Sequence, residues 1–167
     1  MDTNTIAFIG LANEYCGLIA NPFELEEKEL TARLLRLLPR IYICATDLKG
    51  TSLTDEPWID SALSEEQYDD ARRQLASVFG ENDVYLEVFE EDMKYSDTPV
   101  AASISENLAD IYQALYDFLA TVRDATDDVA QEAVVAVKSS FREYWSSTLC
   151  NVLRAVNHLW ATGVDSE

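Results

Sequence analysis

The sequence predicts an all-α bundle of about five helices forming a single domain over residues 1–167. Three observations carry that prediction. Apolar residues recur at steps of four and three through each long segment, the period of a helix with one buried face. Only four prolines and five glycines interrupt 167 residues, of which 48% are hydrophobic, so the chain has the apolar content of a folded domain and few helix breakers. Two segments open with a Ser followed three residues later by Gln or Glu, the reciprocal cap that starts a helix. A chain of this length buries one core and is too short for two comfortable ones.

The first helix is expected from Thr5 to Ala20, capped by Thr3 or Asn4 and stopped by Asn21-Pro22, with Phe8, Leu11, Ala12, Cys16 and Ile19 inward. Gly10 and Gly17 lie seven residues apart on another side with Asn13 between them. An interior glycine costs roughly 1 kcal/mol against alanine. The pair therefore predicts close approach of a neighbouring helix or, alternatively, a ligand groove of Gly10, Asn13 and Gly17.

The second helix is expected from Glu24 to Thr46, with Leu30, Leu34, Leu37 or Leu38, Ile41 and Ala45 inward. Pro39 lies inside it and predicts a kink near Leu35 to Pro39, because proline gives no N–H and crowds the carbonyl four residues back. A rival reading ends the helix there and makes RIYICAT a strand; the apolar spacing, which continues through the proline, favours the helix. Arg33, Arg36 and Arg40 share one outer face and form a candidate interaction stripe, or else pair with acidic neighbours. The polar loop from Asp47 to Leu63 is long enough to need an anchor, and Trp58 is the expected one.

Ser64 with Gln67 opens the third helix, which carries Tyr68, Ala71, Leu75 and Val78 inward as far as Gly80, with Glu65, Glu66, Asp69 and Asp70 in solvent. DVYLEVFEED reads as extended. Ser103 with Glu106 opens the fourth helix, with Ile104, Leu108, Ile111, Leu115, Phe118 or Leu119, and Val122 inward. The tight connection from Asp124 to Thr126 makes this helix and the last one antiparallel neighbours.

The last helix, Asp127 to Ala161, is the element the sequence places at the centre. Ala130, Val134, Val137, Phe141, Trp145, Leu149, Val152, Val156 and Leu159 or Trp160 hold one face for about ten turns. Thr126 is its cap, Asp127 and Asp128 sit at the positive end of the helix dipole, and Gly163 is expected to close it in the left-handed conformation. A rod of roughly 50 Å exceeds what a domain of this size needs. A bend is therefore expected at Ser139-Ser140 or Ser146-Ser147, or an overhang. No Asp or Glu occurs from Trp145 to Val164 or from Leu30 to Thr46, and the first helix keeps only Glu14 between Ile6 and Ala20, in a chain of net charge -19. These three regions are expected to form the buried centre, with the negative charge forming a shell.

Composition narrows the function. Acidic residues outnumber basic ones 31 to 12, which repels phosphate backbones and anionic lipid, so no nucleic-acid and no membrane partner is expected. MDTNTIAFIG lacks the basic region of a signal peptide, and no apolar run reaches the roughly twenty residues that span a bilayer; a cytoplasmic location is expected. Cys16, Cys44 and Cys150 each fall within an apolar helical pattern and are expected as buried thiols.

The single histidine, His158, has Ala155 three residues before it, which excludes the paired Glu-x-x-His of dimetal bundles. Cys150 is about two turns from His158, too far for a dyad on this helix. No phosphate loop, calcium loop or nucleophile elbow is present. No catalytic residue, metal or cofactor is expected. One enzymatic alternative remains, a magnesium-dependent all-α nucleotide pyrophosphohydrolase, with Glu24 and Glu27 or Glu26 and Glu29 as one carboxylate pair and Glu66 with Asp69 as the other.

Two stretches carry a resemblance to a known family. ENLADIYQAL, Glu106 to Leu115, resembles an acidic-acidic-LADIY signature with Asn107 in place of the second acid. YWSSTLCNVLRAV, Tyr144 to Val156, is similar to an HWGHHLVDALRAL-like run, in which Trp145, Leu149, Leu153, Arg154 and Ala155 agree. Tyr144, Ser147, Thr148 and Asn157 stand where that family often has histidine. The family is the uncharacterised bacterial helical family known as domain of unknown function 5063. The resemblance implies an all-helical fold and a bacterial origin, but no activity, and the missing histidines argue against a family metal site here.

Asn151, Arg154 and His158 form a polar strip on the last helix beside Ser147. A partly buried arginine needs an acceptor, and Asp110, next but one to Tyr112 on the adjacent helix, is the expected partner. Asp110, Tyr112, Asn151, Arg154 and His158 thus make a candidate polar site. The expected role is a non-catalytic protein-interaction or assembly module with an unidentified protein partner, a homodimer through the last helix being one form of it. The alternative is a small-ligand-binding helical domain using the Gly10, Asn13, Gly17 face or the polar strip.

Overall fold

Four helices begin where a side chain takes up a free N–H group, and these caps set their boundaries. The computed structural model describes residues 1–86 and 100–163. Helix α1 (Thr3–Ala20) is capped by Asp2, whose carboxylate accepts from the Thr5 N–H at 2.8 Å. The hydrogen bond from the Thr5 backbone holds Asp2 below its usual pKa. The cap lies before the expected Thr3 or Asn4, because a carboxylate at the positive end of the dipole is the stronger acceptor. Asn4 instead donates to the Cys44 carbonyl at 3.1 Å. A one-turn 3-10 helix at Pro22–Glu24 keeps Glu24 out of α2 (Glu27–Thr46), which starts three residues later than expected and continues through Pro39.

Helix α3 (Glu65–Phe79) opens on the Ser64–Gln67 capping box. Strand β1 (Val84–Leu86) pairs antiparallel with β2 (Ala101–Ser103), Val84 opposite Ser103. The extended reading of DVYLEVFEED thus holds for Val84–Leu86, and residues 87–92 lie outside the described residues. Helix α4 (Ile104–Val122) is capped by Ser103, and Asp83 accepts from both the N–H and the hydroxyl of Ser105 at 2.7 Å. Asp124 turns the corner at φ 57, a left-handed conformation that aspartate tolerates better than most residues. Helix α5 (Asp127–Ser140), a π turn (Phe141–Trp145) and α6 (Ser146–Gly163) then form one continuous helix of 37 residues. Gly163 is its last helical residue and does not adopt the expected left-handed conformation.

Between the two serine pairs, where a bend was expected, the helix widens into that π turn. Ser140 donates to the Val137 carbonyl at 3.0 Å and accepts from the Trp145 indole N–H at 3.2 Å. The Ser146 N–H reaches five residues back to the Phe141 carbonyl. The wider turn lets Phe141 and Trp145 both remain buried, their rings 4.5 Å apart, with Tyr42 edge-on to Phe141 at 5.1 Å.

The central element is α4, which packs against α1, α3, α5 and α6 and buries Ile104, Leu108, Ile111, Leu115 and Phe118. The last helix packs mainly on α2 and α4 through α6, and on α4 through α5, so the expectation that it forms the centre is corrected. Absence of acid did not report burial: α2 and α6 each bury one face and expose another that is merely apolar or basic. Tyr15, missed as a core residue, is fully buried and donates to the Leu108 carbonyl at 2.7 Å. Burial raises its pKa well above the usual value.

The glycine expectation is overturned. The buried stripe of α1 is Thr5, Phe8, Ala12, Tyr15 and Ile19, and Gly10 and Gly17 project from the opposite side. Both are exposed, and a Cβ at either would meet nothing within 4 Å. No helix approaches either glycine, and the three residues do not share a groove: Gly17 borders a cleft of about 350 Å³, while Gly10 and Asn13 face solvent. Gly10→Ala and Gly17→Ala are each expected to stabilise the fold by about 1 kcal/mol, since the backbone entropy cost falls and no clash opposes it. Urea denaturation checks this, and a loss of stability would show that the face is covered in solution.

Trp58 does not anchor the long loop; it is 66% exposed. Leu48 and Leu63 are buried instead, and Gly50 lies so close to α5 that an added Cβ would sit 3.0 Å from the Gln131 carbonyl. Lys138 donates to the carbonyls of Thr46 and Leu48 at 3.1 and 2.7 Å, closing the end of α2. The Asp117 carboxylate accepts from the N–H groups of Ala62 and Leu63 at 2.9 and 2.8 Å. The loop needed partners for its backbone more than an aromatic plug.

Candidate docking groove

Helices α2 and α6 pack side by side and leave a groove of about 830 Å³ on their outer surface. Ala32, Leu35, Arg36 and Pro39 line it from α2, and Cys150, Leu153, Arg154, Asn157 and Trp160 from α6. Each set steps by three and four, so each is one helical strip beside the buried stripe. Pro39 has no N–H to give to the carbonyl of Leu35, which leaves that backbone acceptor without its helical donor at the groove. Trp160 is 52% exposed at one end.

Arg36 and Arg154 are exposed beside this apolar floor, and no ion pair joins either to a carboxylate among the described residues. Arg40 is likewise exposed and without an ion pair among the described residues, whereas Arg33 pairs with Glu29 at 3.3 Å on the surface. The basic stripe therefore divides: one arginine is engaged along its own helix and the others remain available. Arg36 joins Arg154, a residue predicted for a different site.

The expected Asp110 to Arg154 pair is not formed. Arg154 is two residues from both Val152 and Val156, which puts it on the side of α6 facing away from the core. Asp110 accepts instead from the Tyr68 hydroxyl at 2.5 Å. Burial raises the Asp110 pKa, the hydrogen bond from Tyr68 opposing that rise. Of the remaining polar-site residues, Tyr112 is buried with its ring 5.7 Å from that of Tyr116, Asn151 is half-buried, and His158 is exposed, its carbonyl accepting from the Thr162 hydroxyl at 2.8 Å. The strip is not one site.

The cysteine expectation needs one correction. Cys16 and Cys44 are half-buried, with burial pushing the Cys16 thiol up to about 12, but Cys150 is exposed on the groove. It follows Leu149 by one residue and so turns off the buried stripe. The carboxylate pairs weighed for magnesium are dispersed: Glu27 accepts from Asn82 at 2.7 Å, Glu29 pairs with Arg33, and Asp69 pairs with Arg72 at 3.6 Å. Among the described residues no group of three or more His, Cys, Asp or Glu is placed to hold a metal ion.

Leu35, Pro39, Leu153 and Trp160 were not singled out as a site by their spacing. Their signal was the coincidence of two acid-free segments, legible only once those segments are known to be neighbours.

Comparison with known proteins places the chain in a family and beside a solved structure. The family model described as Domain of unknown function (DUF5063) matches residues 1–162. The crystal structure of protein BF1032 from Bacteroides fragilis, a structural-genomics target, is similar at a TM-score of 0.80 and 27% sequence identity, covering 95% of this chain and 92% of that one. No functionally curated protein matches.

Proposed function

We propose that this chain, which belongs to the family described as Domain of unknown function (DUF5063), is a helical protein-interaction module whose α2–α6 groove receives the apolar face of an acidic amphipathic helix. The observation that carries the reading is an apolar floor flanked by two unpaired arginines, on the acid-free segments of a chain of net charge -19. Helix-in-groove recognition needs such a floor for alternate-turn anchors and rim charges that select the partner. Within a Debye length, about 8 Å at physiological salt, these two cations rather than the net charge set the local preference for an acidic partner.

A homodimer built groove to groove fits less well. Two-fold symmetry would bring Arg36 and Arg154 of one copy towards those of the other, placing like charges in the interface. No helix among the described residues is long and apolar enough to cross a membrane. Three free thiols, Cys16, Cys44 and Cys150, support a reducing compartment and hence the cytoplasm as the place of action.

A photo-crosslinking residue placed at Leu153, in cells that make the protein naturally, tests the reading. The expected product joins Leu153 to an acidic helical segment of another protein. Its yield should fall about tenfold in the Arg36→Glu, Arg154→Glu double variant, whose melting temperature should be unchanged because both side chains are exposed and unpaired. A crosslink to a second copy of this chain, or one indifferent to the charge reversal, would overturn it.

A further inference from the structure

A second concavity shares no residue with the docking groove. It is a cleft of about 510 Å³ beneath the Pro57–Ile59 stretch of the long loop. Trp58 and Tyr144 stand at its mouth, 66% and 70% exposed, and the buried Trp145 forms part of its wall. Exposure of two large aromatic rings at one opening is a cost that packing does not explain. The π turn produces the arrangement: its wider pitch reduces the rotation between successive residues, so Tyr144 and Trp145 both border the cleft. Ser140, Tyr144 and Thr148 continue the same side at steps of four.

The polar lining is one-sided. Among the described residues Asp110 and Asp117 are its two charged residues, and no Lys, Arg or His lines it. Both carboxylates are held in place from behind. Asp110 accepts through Oδ1 from the Tyr68 hydroxyl, and Asp117 through Oδ1 from the N–H groups of Ala62 and Leu63. Each has a second oxygen with no hydrogen bond among the described residues. Fixed carboxylates and aromatic rings lining one cleft attract a cation that is itself partly apolar: rings offer their negative faces and the carboxylates supply charge. A bare metal ion is a poorer fit, because no third acidic or imidazole donor joins the pair among the described residues.

We infer that this cleft binds an organic cation, an alkylammonium group held between Trp58 and Tyr144 over Asp110 and Asp117. The same chemistry is presented by a free small amine and by a protein lysine side chain, and the size of the accepted group distinguishes them. A free quaternary ammonium needs only the cleft, whereas a lysine side chain must enter end-on with its backbone outside.

The test is an NMR titration of the intact protein, following the Trp58 indole N–H, with three probes: tetramethylammonium, a blocked lysine amide, and neutral neopentyl alcohol as an uncharged isostere. Saturable shifts with a cation, at least tenfold tighter than with the alcohol, are expected. Preference for the lysine amide would assign a protein ligand, and preference for tetramethylammonium a free small amine. Trp58→Ala and Asp110→Asn should each weaken binding about tenfold; Trp58→Ala removes an exposed side chain and should leave melting unchanged, which keeps the test valid if Asp110→Asn folds poorly. Equal binding of the alcohol, unaltered affinity in Trp58→Ala, or no saturable shift with either cation would overturn the inference.

Discussion

Phe8→Ala is expected to lower the unfolding free energy by about 3–5 kcal/mol, the range for truncating a fully buried aromatic side chain. Phe8 is wholly buried on α1 and meets Phe118 of the central helix edge to face, with ring centroids 5.3 Å apart. The substitution loses both the transfer energy of the ring and an aromatic pair, and leaves a cavity between two helices that cannot close without shifting α4. Because α4 also carries α3, α5 and α6, the relaxation that would soften the loss is restricted. Against a typical total stability of about 5–15 kcal/mol, the variant should be near the threshold of folding. Guanidinium denaturation at constant m-value measures it. A loss below about 1.5 kcal/mol would mean that α1 repacks freely and that the α1–α4 interface is not the rigid centre described above.

Asp117→Ala is expected to cost about 2–4 kcal/mol, and Asp117→Asn distinctly less. The Asp117 carboxylate takes two backbone N–H groups at the end of the long loop, next to Leu63, which is buried. Charge-assisted hydrogen bonds exceed neutral ones, and a donor left unpaired near the core loses its partner without regaining water. Asparagine keeps an oxygen at the same place, so its shortfall reports the charge, while that of alanine reports the whole anchor. Denaturation of both variants, with hydrogen exchange at the Ala62 and Leu63 amides, separates the two contributions. If alanine and wild type exchange alike at those amides, the loop is held by Leu48, Gly50 and Lys138 alone.

Much of the fold was legible because its signals are local. Thr126, Ser103 and the Ser64–Gln67 pair cap the helices they were expected to cap. The α2 stripe Leu30, Leu34, Ile41 and Ala45 is buried as its spacing required, and of the alternatives Leu37 and Leu38 both are buried. Tyr15 was missed although Phe8, Ala12, Tyr15 and Ile19 follow the same four-three rule, because Cys16, one residue on, was given its place on the stripe. Asp2 was missed as a cap because its carboxylate lies outside the apolar pattern that delimits the helix.

The candidate sites were legible only in fragments. Arg36 and Arg154 each drew notice, for separate reasons, but nothing along the chain places residue 36 beside residue 154. Asp110 was noticed and assigned the wrong partner, since antiparallel neighbours were inferred correctly while the rotation of α6 was not. Rotation depends on every residue between a helix start and the side chain in question. The π turn at Phe141–Trp145 inserts its extra angle before Arg154.

Read along the chain alone, the residues determined the helix class, the positions of most caps, most of the buried residues of each helix and the absence of acid from two long segments. These follow from hydrogen bonding within a few residues and from the 3.6-residue period, neither of which needs a neighbour. The tertiary structure decided that α4 is central, that Trp58 stands outward over a cleft, and that the two acid-free segments lie side by side with their uncommitted faces forming one groove. Those outcomes depend on which apolar stripes meet and at what rotation, a choice made by packing among residues far apart in the chain.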